Sequence, residues 1–232
     1  MPYTKTIVCL ANSRKWQGRC VAGLELLPSK PAQWVRPVSG MEKGTLVWER
    51  FCGNANGRDP RLLDLLEIEF LLPQPHTFQV ENHRIDPRLR WTFKGTVPWQ
   101  RLMPHVERVR GPLWANVRSS RNGHNDLVPA EMAPTLRSSL KLVQPDELTL
   151  TITIETSQTG APKRKIRGEF ELDGAWYIFS VTDCRIEESL KNCATGVQQH
   201  FRRPLLCLSL SEVVKQTNAC YKLIAGIVPT GM

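Results

Sequence analysis

The chain contains no run approaching the roughly 20 apolar residues of a membrane-spanning helix. Its first ten residues, Met1 to Leu10, lack the long apolar core of a secretory signal. A cytoplasmic protein with no membrane partner is expected. There is no Cys-x-x-Cys pair. The seven cysteines, Cys9, Cys20, Cys52, Cys184, Cys193, Cys207 and Cys220, are odd in number and widely spaced, which suits buried thiols in a reducing compartment. His76, His83, His105, His124 and His200 form no ligand cluster, so no metal site is read. Also missing are a phosphate-cradling Gly-rich loop, a nucleophile elbow and a His-Glu-x-x-His pair. Their absence argues against nucleoside triphosphatase, hydrolase and metalloprotease chemistry. Neither a cofactor nor a catalytic residue is assigned, and the balance leans away from an enzyme.

Acidic residues are the scarcer charge: 22 Asp and Glu stand against 31 Lys and Arg, a net charge of +9 that favours polyanionic partners. Hydrophobic residues make up 41% of the 232, enough for a real core, and the length admits one domain or two, with two preferred.

Strand signals dominate. Thr6 to Ala11 and Arg19 to Leu27 read as two strands joined by a polar loop, Asn12 to Gly18, and Trp34 to Val38 as a third. Leu66, Ile68 and Phe70 alternate with Glu67 and Glu69, the period of a half-buried strand that Pro73 and Pro75 end. From Ile85 to Leu140 alternation fades and prolines recur, which predicts a connector with short helical turns such as Trp99 to Met103. Then Leu148, Leu150, Ile152 and Ile154 alternate with Thr149, Thr151, Thr153 and Glu155. Ile166 to Leu172 and Trp176 to Thr182 follow, joined through Asp173-Gly174, and the three segments predict an antiparallel meander. Glu187 to Gln199 could form a short helix, and Leu205 to Leu210 and Cys220 to Val228 two last strands. Cys9-Leu10 with Cys20 to Gly23 faintly echoes Cys207-Leu208 with Cys220 to Gly226, which fits two similar halves. Many short strands and few helices point to small barrels in preference to sandwiches.

Ile7 to Lys15, Gly18 to Gly23 and Trp34 to Ser39 together resemble the start of the prokaryotic dual OB-containing domain family. Leu65 to Leu72 with Pro75-His76, Gln79, Glu81 and Asn82 is similar to that family's middle, as is Tyr177 to Asp183. Cys184 departs from the pattern, where proline is expected after Val-Thr-Asp. The resemblance implies a mainly β chain of two OB-like small barrels joined by an irregular, partly helical connector. The expected division is residues 1–97, 98–136 and 137–232, with the final strands able to pack back on the first barrel. It also implies a nucleic-acid or nucleotide-binding role, in a bacterial defence or conflict setting.

Three groups of residues are candidates for binding. Asn12, Ser13, Arg14 and Lys15 offer amide, hydroxyl and cationic donors in the first loop, with Arg19 and Arg36 beside them and Trp16 and Trp34 as stacking rings. The plain alternative is a solvated hairpin with Trp34 in the core. His76, Gln79, Glu81 and Asn82 form a polar cluster that could contact a base. From Arg84 to Arg121 nine cations (Arg84, Arg88, Arg90, Lys94, Arg101, Arg108, Arg110, Arg118 and Arg121) face only Asp86 and Glu107, interleaved with Trp91, Phe93, Trp99 and Trp114. That is the composition of a single-strand groove, or of a solvated connector pinned by its tryptophans. Lys163, Arg164, Lys165 and Arg167 add a basic hairpin tip whose face continues into Glu169 and Glu171.

The first expectation is therefore a protein that binds single-stranded DNA or RNA with limited sequence preference. A second is a nucleotide or modified-nucleoside sensor with a pocket between the barrels. A third is an enzyme acting on nucleic acid, with His76, Glu81 and Asp183 as suspects. Protein partners are not legible.

Overall fold

The computed structural model describes residues 1–15, 18–27, 31–40, 59–156 and 160–230, with only the backbone of Lys15. Two compact units divide the chain: Met1–His105 with Arg137–Ser139, and Val106–Leu136 with Leu140–Met232.

The first unit contains β1 (Tyr3–Lys15), β2 (Gly18–Glu25), β3 (Gln33–Val38), β4 (Asp64–Pro73), β5 (Asn82–Ile85) and β6 (Thr92–Thr96). Its order is β1-β2-β3-β5-β4, closed by β4 pairing back onto β1, with β6 added to the side of β4. Every pairing is antiparallel except β3 with β5. This is the five-stranded OB order. One strand can serve two neighbours because β1 is 13 residues long: Tyr3 to Val8 pair with β4 and Val8 to Lys15 with β2. A register shift between Cys9 and Ala11 bends it, as barrel closure requires. The unbroken apolar run Ile7-Val8-Cys9-Leu10-Ala11 is buried throughout, which hides the usual alternation at the bend. The strand also extends through Asn12 to Lys15, which sequence placed in a loop, with Lys15 paired to Gly18.

The second unit contains β7 (Leu127–Pro129), β8 (Leu140–Val143), β9 (Glu147–Thr156), β10 (Pro162–Leu172), β11 (Ala175–Val181), α1 (Cys184–Leu190), β12 (Gln198–Arg202), β13 (Leu205–Leu210) and β14 (Ala219–Val228). Its sheet runs β12-β9-β10-β11-β14-β13-β8, with β7 on β14. Within it β9-β10-β11-β14-β13 repeats the order of the first unit, including one parallel pair, β11 with β14. The sheet carries extra strands at its two ends. By position β13 and β14 therefore correspond to β4 and β5. The cysteine echo, which matched them to β1 and β2, equates strands that are not counterparts.

The predicted meander is present. Asp173 and Gly174 both have positive φ, 50° and 72°, as a two-residue hairpin turn between right-twisted strands needs. Leu148, Leu150, Ile152, Ile166, Phe170, Tyr177 and Phe179 fill the core, each adding roughly 1.5–3 kcal/mol by burial. The rings of Phe170, Tyr177 and Phe179 pack with centroids 5.2 to 5.4 Å apart. Ile154, which the alternation assigned to this core, lies past its edge and is 54% exposed.

Two segments differ from the sequence reading. The helix starts at Cys184 and not at Glu187, because the carboxylate of Asp183 accepts hydrogen bonds from the Arg185 and Ile186 amides and caps it. Cys184 thus stands at the first helical position, where a proline would also fit. The chain beyond Leu190 forms turns and the strand β12. In the predicted connector, Trp99–His105 and Ala130–Thr135 are short 3-10 helices and β6 and β7 are strands, so that stretch is shared between the two units.

Gly23 marks a close approach of two strands in the first barrel. A β-carbon there would collide with the carbonyl oxygen of Val8, a backbone atom that cannot move aside while β1 stays paired. Gly23→Ala is expected to destabilise the protein by about 1–3 kcal/mol, read as a lowered urea midpoint, whereas Ala22→Gly should cost less.

Candidate functional site

In the first unit the polar residues singled out from sequence are mostly committed to the fold. Asn12 is buried and donates through Nδ2 to the Pro60 carbonyl at 2.7 Å; Ser13 Oγ donates to the Cys20 carbonyl at 3.4 Å. Arg14 is exposed and Trp34 half-buried. Arg19 pairs with Asp59. Arg36 is 1% exposed: its Nη2 donates to Ser139 Oγ at 2.8 Å and lies 3.2 Å from Glu81 Oε1, while the Ser139 hydroxyl donates to that same oxygen. Gln79 Oε1 accepts from Asn82 Nδ2 at 3.3 Å, and both residues are buried. His76 is exposed on a tight turn whose backbone pairs with Gln79. Arg36, Glu81 and Ser139 thus form a buried tie in which the loop before β5 and the segment Arg137–Ser139 are joined to β3.

The cations of the Arg84 to Arg121 stretch are divided between the units. Arg88 chelates Asp86 at 2.5 and 2.9 Å and holds that carboxyl down at about 2; Lys94 pairs with Glu67 at 2.9 Å. Arg84, Arg90 and Arg101 are exposed in the first unit, and Arg108, Arg110, Arg118 and Arg121 in the second. Trp91 is 2% exposed, which removes it as a stacking platform; Trp99 is half-buried, and Trp114 is covered by Lys141 Nζ 5.6 Å from its ring. Trp16 lies outside the described residues.

The second unit presents an open site. On the outer face of β9, β10, β11 and β14 lies a hollow of about 790 Å³, lined by Arg121, Lys163, Lys165 and Arg167 together with Ser120, Asn122, Ser180, Thr182, Ser211 and Tyr221. The two-residue period explains its charge. With Ile166, Gly168 and Phe170 of β10 turned to the core, Lys163, Lys165 and Arg167 must face outward. Arg164 has the other parity and donates to the carbonyls of Leu190 and Cys193 at 2.6 and 2.7 Å, closing the end of α1.

The cations of the hollow are not equivalent. Arg167 is held by Glu155 at 2.7 and 2.8 Å and lies 3.7 Å from buried Asp126. Burial alone would raise the Glu155 carboxyl, but the hydrogen bond and charge of Arg167, with Asn122 and Thr153, outweigh it and hold the group below the usual carboxylate range. Lys165 is pushed below the usual lysine range, first by burial and then by the charges of Lys163 and Arg167. Arg121, Lys163 and Lys165 form no ion pair among the described residues.

An arch, Leu113 to Asp126, brings Ser120, Arg121 and Asn122 to the hollow. Its foot is Asp126, which accepts from the Ser120 amide and hydroxyl at 2.7 and 2.6 Å. Its other anchor is Lys222 of β14, 1% exposed, whose ammonium donates to the Ala115 carbonyl and, at 3.0 Å, to Asn116 Oδ1, lying 5.6 and 5.8 Å from the Tyr177 and Phe179 rings. Sequence reasoning missed Ser120, Asn122, Ser180, Thr182, Ser211 and Tyr221. The parity of β11, with Tyr177, Phe179 and Val181 inside, already sets Ser180 and Thr182 on the face of Lys165. Lys222 carries no such signal, since parity turns a lysine inward there.

The suspects for catalysis are divided between the units. His76 is exposed and Glu81 is tied to Arg36, while Asp183, in the other unit, accepts from the amides of Arg185 and Ile227 at 2.9 and 3.0 Å. Among the described residues no group of three or more His, Cys, Asp or Glu could hold a metal ion, and no helix is long and apolar enough to cross a membrane.

A protein-family model described as a dual OB-containing domain matches residues 5–227. No curated protein matches the chain.

Burial pushes the Lys222 ammonium down to about 7, opposed by Asp126. Between about pH 7 and the ordinary lysine range the unfolded chain then holds a proton that the folded chain lacks, so this group's contribution makes stability rise with pH across that window. Lys222→Met is expected to flatten the rise, measured as urea midpoints at pH 7 and pH 9.

Proposed function

The chain belongs to the dual OB-containing domain family, and on that premise we propose that its second unit binds single-stranded nucleic acid, with limited sequence preference, on the outer face of β9, β10, β11 and β14. The observation that carries this reading is the convergence of Arg121, Lys163 and Lys165 on one hydroxyl-lined hollow. Cations that already neutralise a carboxylate have little to gain from a phosphate, whereas these three form no ion pair among the described residues and bring the donors that phosphate oxygens accept from. Tyr221 offers a ring for a base, and Ser180, Thr182 and Asn122 offer polar groups at sugar or base edges. Backbone charge and stacking discriminate poorly between bases, hence the limited sequence preference. OB units are often used for this purpose, with one strand face and its loops as the binding surface.

We also assign the cytoplasm, which the odd number and wide spacing of the seven cysteines suit. A second reading rests on the volume of the hollow, which lies within the range of small-molecule sites and suits a single nucleotide. A mononucleotide that raises the melting temperature saturably, while oligomers do not, would favour it.

Fluorescence anisotropy of a labelled dT12 strand tests the first reading. Lys163→Ala combined with Lys165→Ala is expected to weaken binding at least tenfold and to make the slope of log K against log salt shallower by about 1.4, the value for two lost phosphate contacts. Lys94→Ala should change little. Affinity should also fall as pH rises through the lowered range of Lys165, because an anion prefers the charged ammonium. A double variant that binds like the wild type contradicts the reading.

A further inference from the structure

The face assigned to nucleic acid is divided by charge along its own strands, and we propose that this division fixes the ligand's path: a single strand crosses β9, β10, β11 and β14 at their Lys163–Lys165 end and is excluded from the other end by a bank of carboxylates. The inference rests on the function proposed above. Outward positions along β10 read Lys163, Lys165, Arg167, then Glu169 and Glu171, so the sign reverses within one strand. Register sets Arg167 opposite Thr151 and Glu169 opposite Thr149, which places both signs on the same sheet surface.

At the acidic end lies a second hollow of about 530 Å³, lined by Asp146, Glu147, Glu169, Glu171 and Asp173 and by no lysine or arginine. Asp173 accepts a hydrogen bond from the Gly111 amide at 2.5 Å. Arg202, opposite Glu147 on β12, is the cation that register brings beside this bank, and it does not line the hollow.

Distance decides what this does to a polyanion. At about 3.4 Å per residue, Lys165 and Glu169 stand roughly 14 Å apart along β10, and Lys163 and Glu171 roughly 27 Å. Screening acts over about 8 Å at physiological ionic strength. A phosphate over Lys165 therefore escapes most of the repulsion from Glu169. A strand running lengthwise down β10 would set its next phosphates directly on Glu169 and Glu171, with no cation in the hollow to offset them. The path across the strands passes Lys165, Ser180 and Tyr221, and the one carboxylate lining that hollow, Glu155, is already neutralised by Arg167.

The same division selects the stacking ring. Trp176 is 45% exposed and would be the obvious platform for a base, but it lines the acidic hollow. Tyr221 lines the basic one. The ligand is thereby a short single-stranded segment of about four nucleotides, the low end for one OB unit, stacked on Tyr221 and not on Trp176.

Backbone amide chemical shifts of the full chain, titrated with dT12 at 150 mM salt, test the path. Shifts are expected at Lys163, Lys165, Ser180, Thr182 and Tyr221 and not at Glu169, Glu171 or Trp176; in Glu169→Lys with Glu171→Lys they should spread down β10. Tyr221→Ala should weaken binding at least tenfold, Tyr221→Phe should restore it, and Trp176→Ala should leave it within twofold. Wild-type shifts that run to Glu171, or a loss of affinity in Trp176→Ala with none in Tyr221→Ala, would overturn the proposed path while leaving binding to this unit intact. Absence of shifts anywhere on the face at saturating dT12 overturns the function itself, and the path with it.

Discussion

Burial of alternate residues of β10 is the constraint from which the candidate site follows. Ile166 and Phe170 are enclosed by Leu148, Leu150 and Ile152 from β9 and by Tyr177 and Phe179 from β11, and Gly168 leaves the space that the Ile224 side chain occupies. A slip of one residue would bring Lys165 and Arg167 into that core and expel its apolar set, so the register is strongly fixed. Once it is fixed, the outward row is settled, and with it the position of three cations beside Ser180, Thr182 and Tyr221. Packing energy, and no attraction among the charges themselves, holds like charges this close. Burial first, and then these like charges, depress the proton affinity of Lys165.

Basic residues serve different ends in this chain. In the first unit, Arg19, Arg36, Arg88 and Lys94 are each engaged by a carboxylate, and Arg36 is enclosed with its partner. Removing one member of that buried pair leaves the other charged and uncompensated, so Arg36 answers to stability. In the second, Arg167 is spent in the same way on Glu155 and Asp126, but Arg121, Lys163 and Lys165 are not. Net charge alone therefore says little about where an anion would bind. What separates structural from available cations is whether a carboxylate is already within reach.

Much of the fold was legible because alternation is a local signal. The β9, β10 and β11 meander, the Asp173-Gly174 turn and the inward face of β4 all follow from residues two apart. The bend of β1 was not, since a run buried on both faces loses its period, and Asn12 to Lys15 consequently read as a loop. β12 was hidden in a polar stretch that suited a helix equally well. The candidate site was half legible: Lys163, Lys165 and Arg167 stood out, but Arg164 differs from them only in parity and turns to cap α1. The arch that carries Ser120 to Asn122 is placed by Asp126 and by Lys222, and the contacts of Lys222 with Ala115 and Asn116 join residues about a hundred apart in sequence that no local pattern encodes. The tryptophans misled because composition does not separate a stacking ring from a buried one such as Trp91.

Nucleic-acid binding through the second unit is most directly tested by ultraviolet cross-linking of the full chain to single-stranded DNA, followed by mass mapping of the cross-linked peptides. Adducts are expected on the peptide that contains Tyr221 and on those covering Lys163 to Arg167. Adducts confined to the first unit, at Trp34 or Trp99, would contradict it.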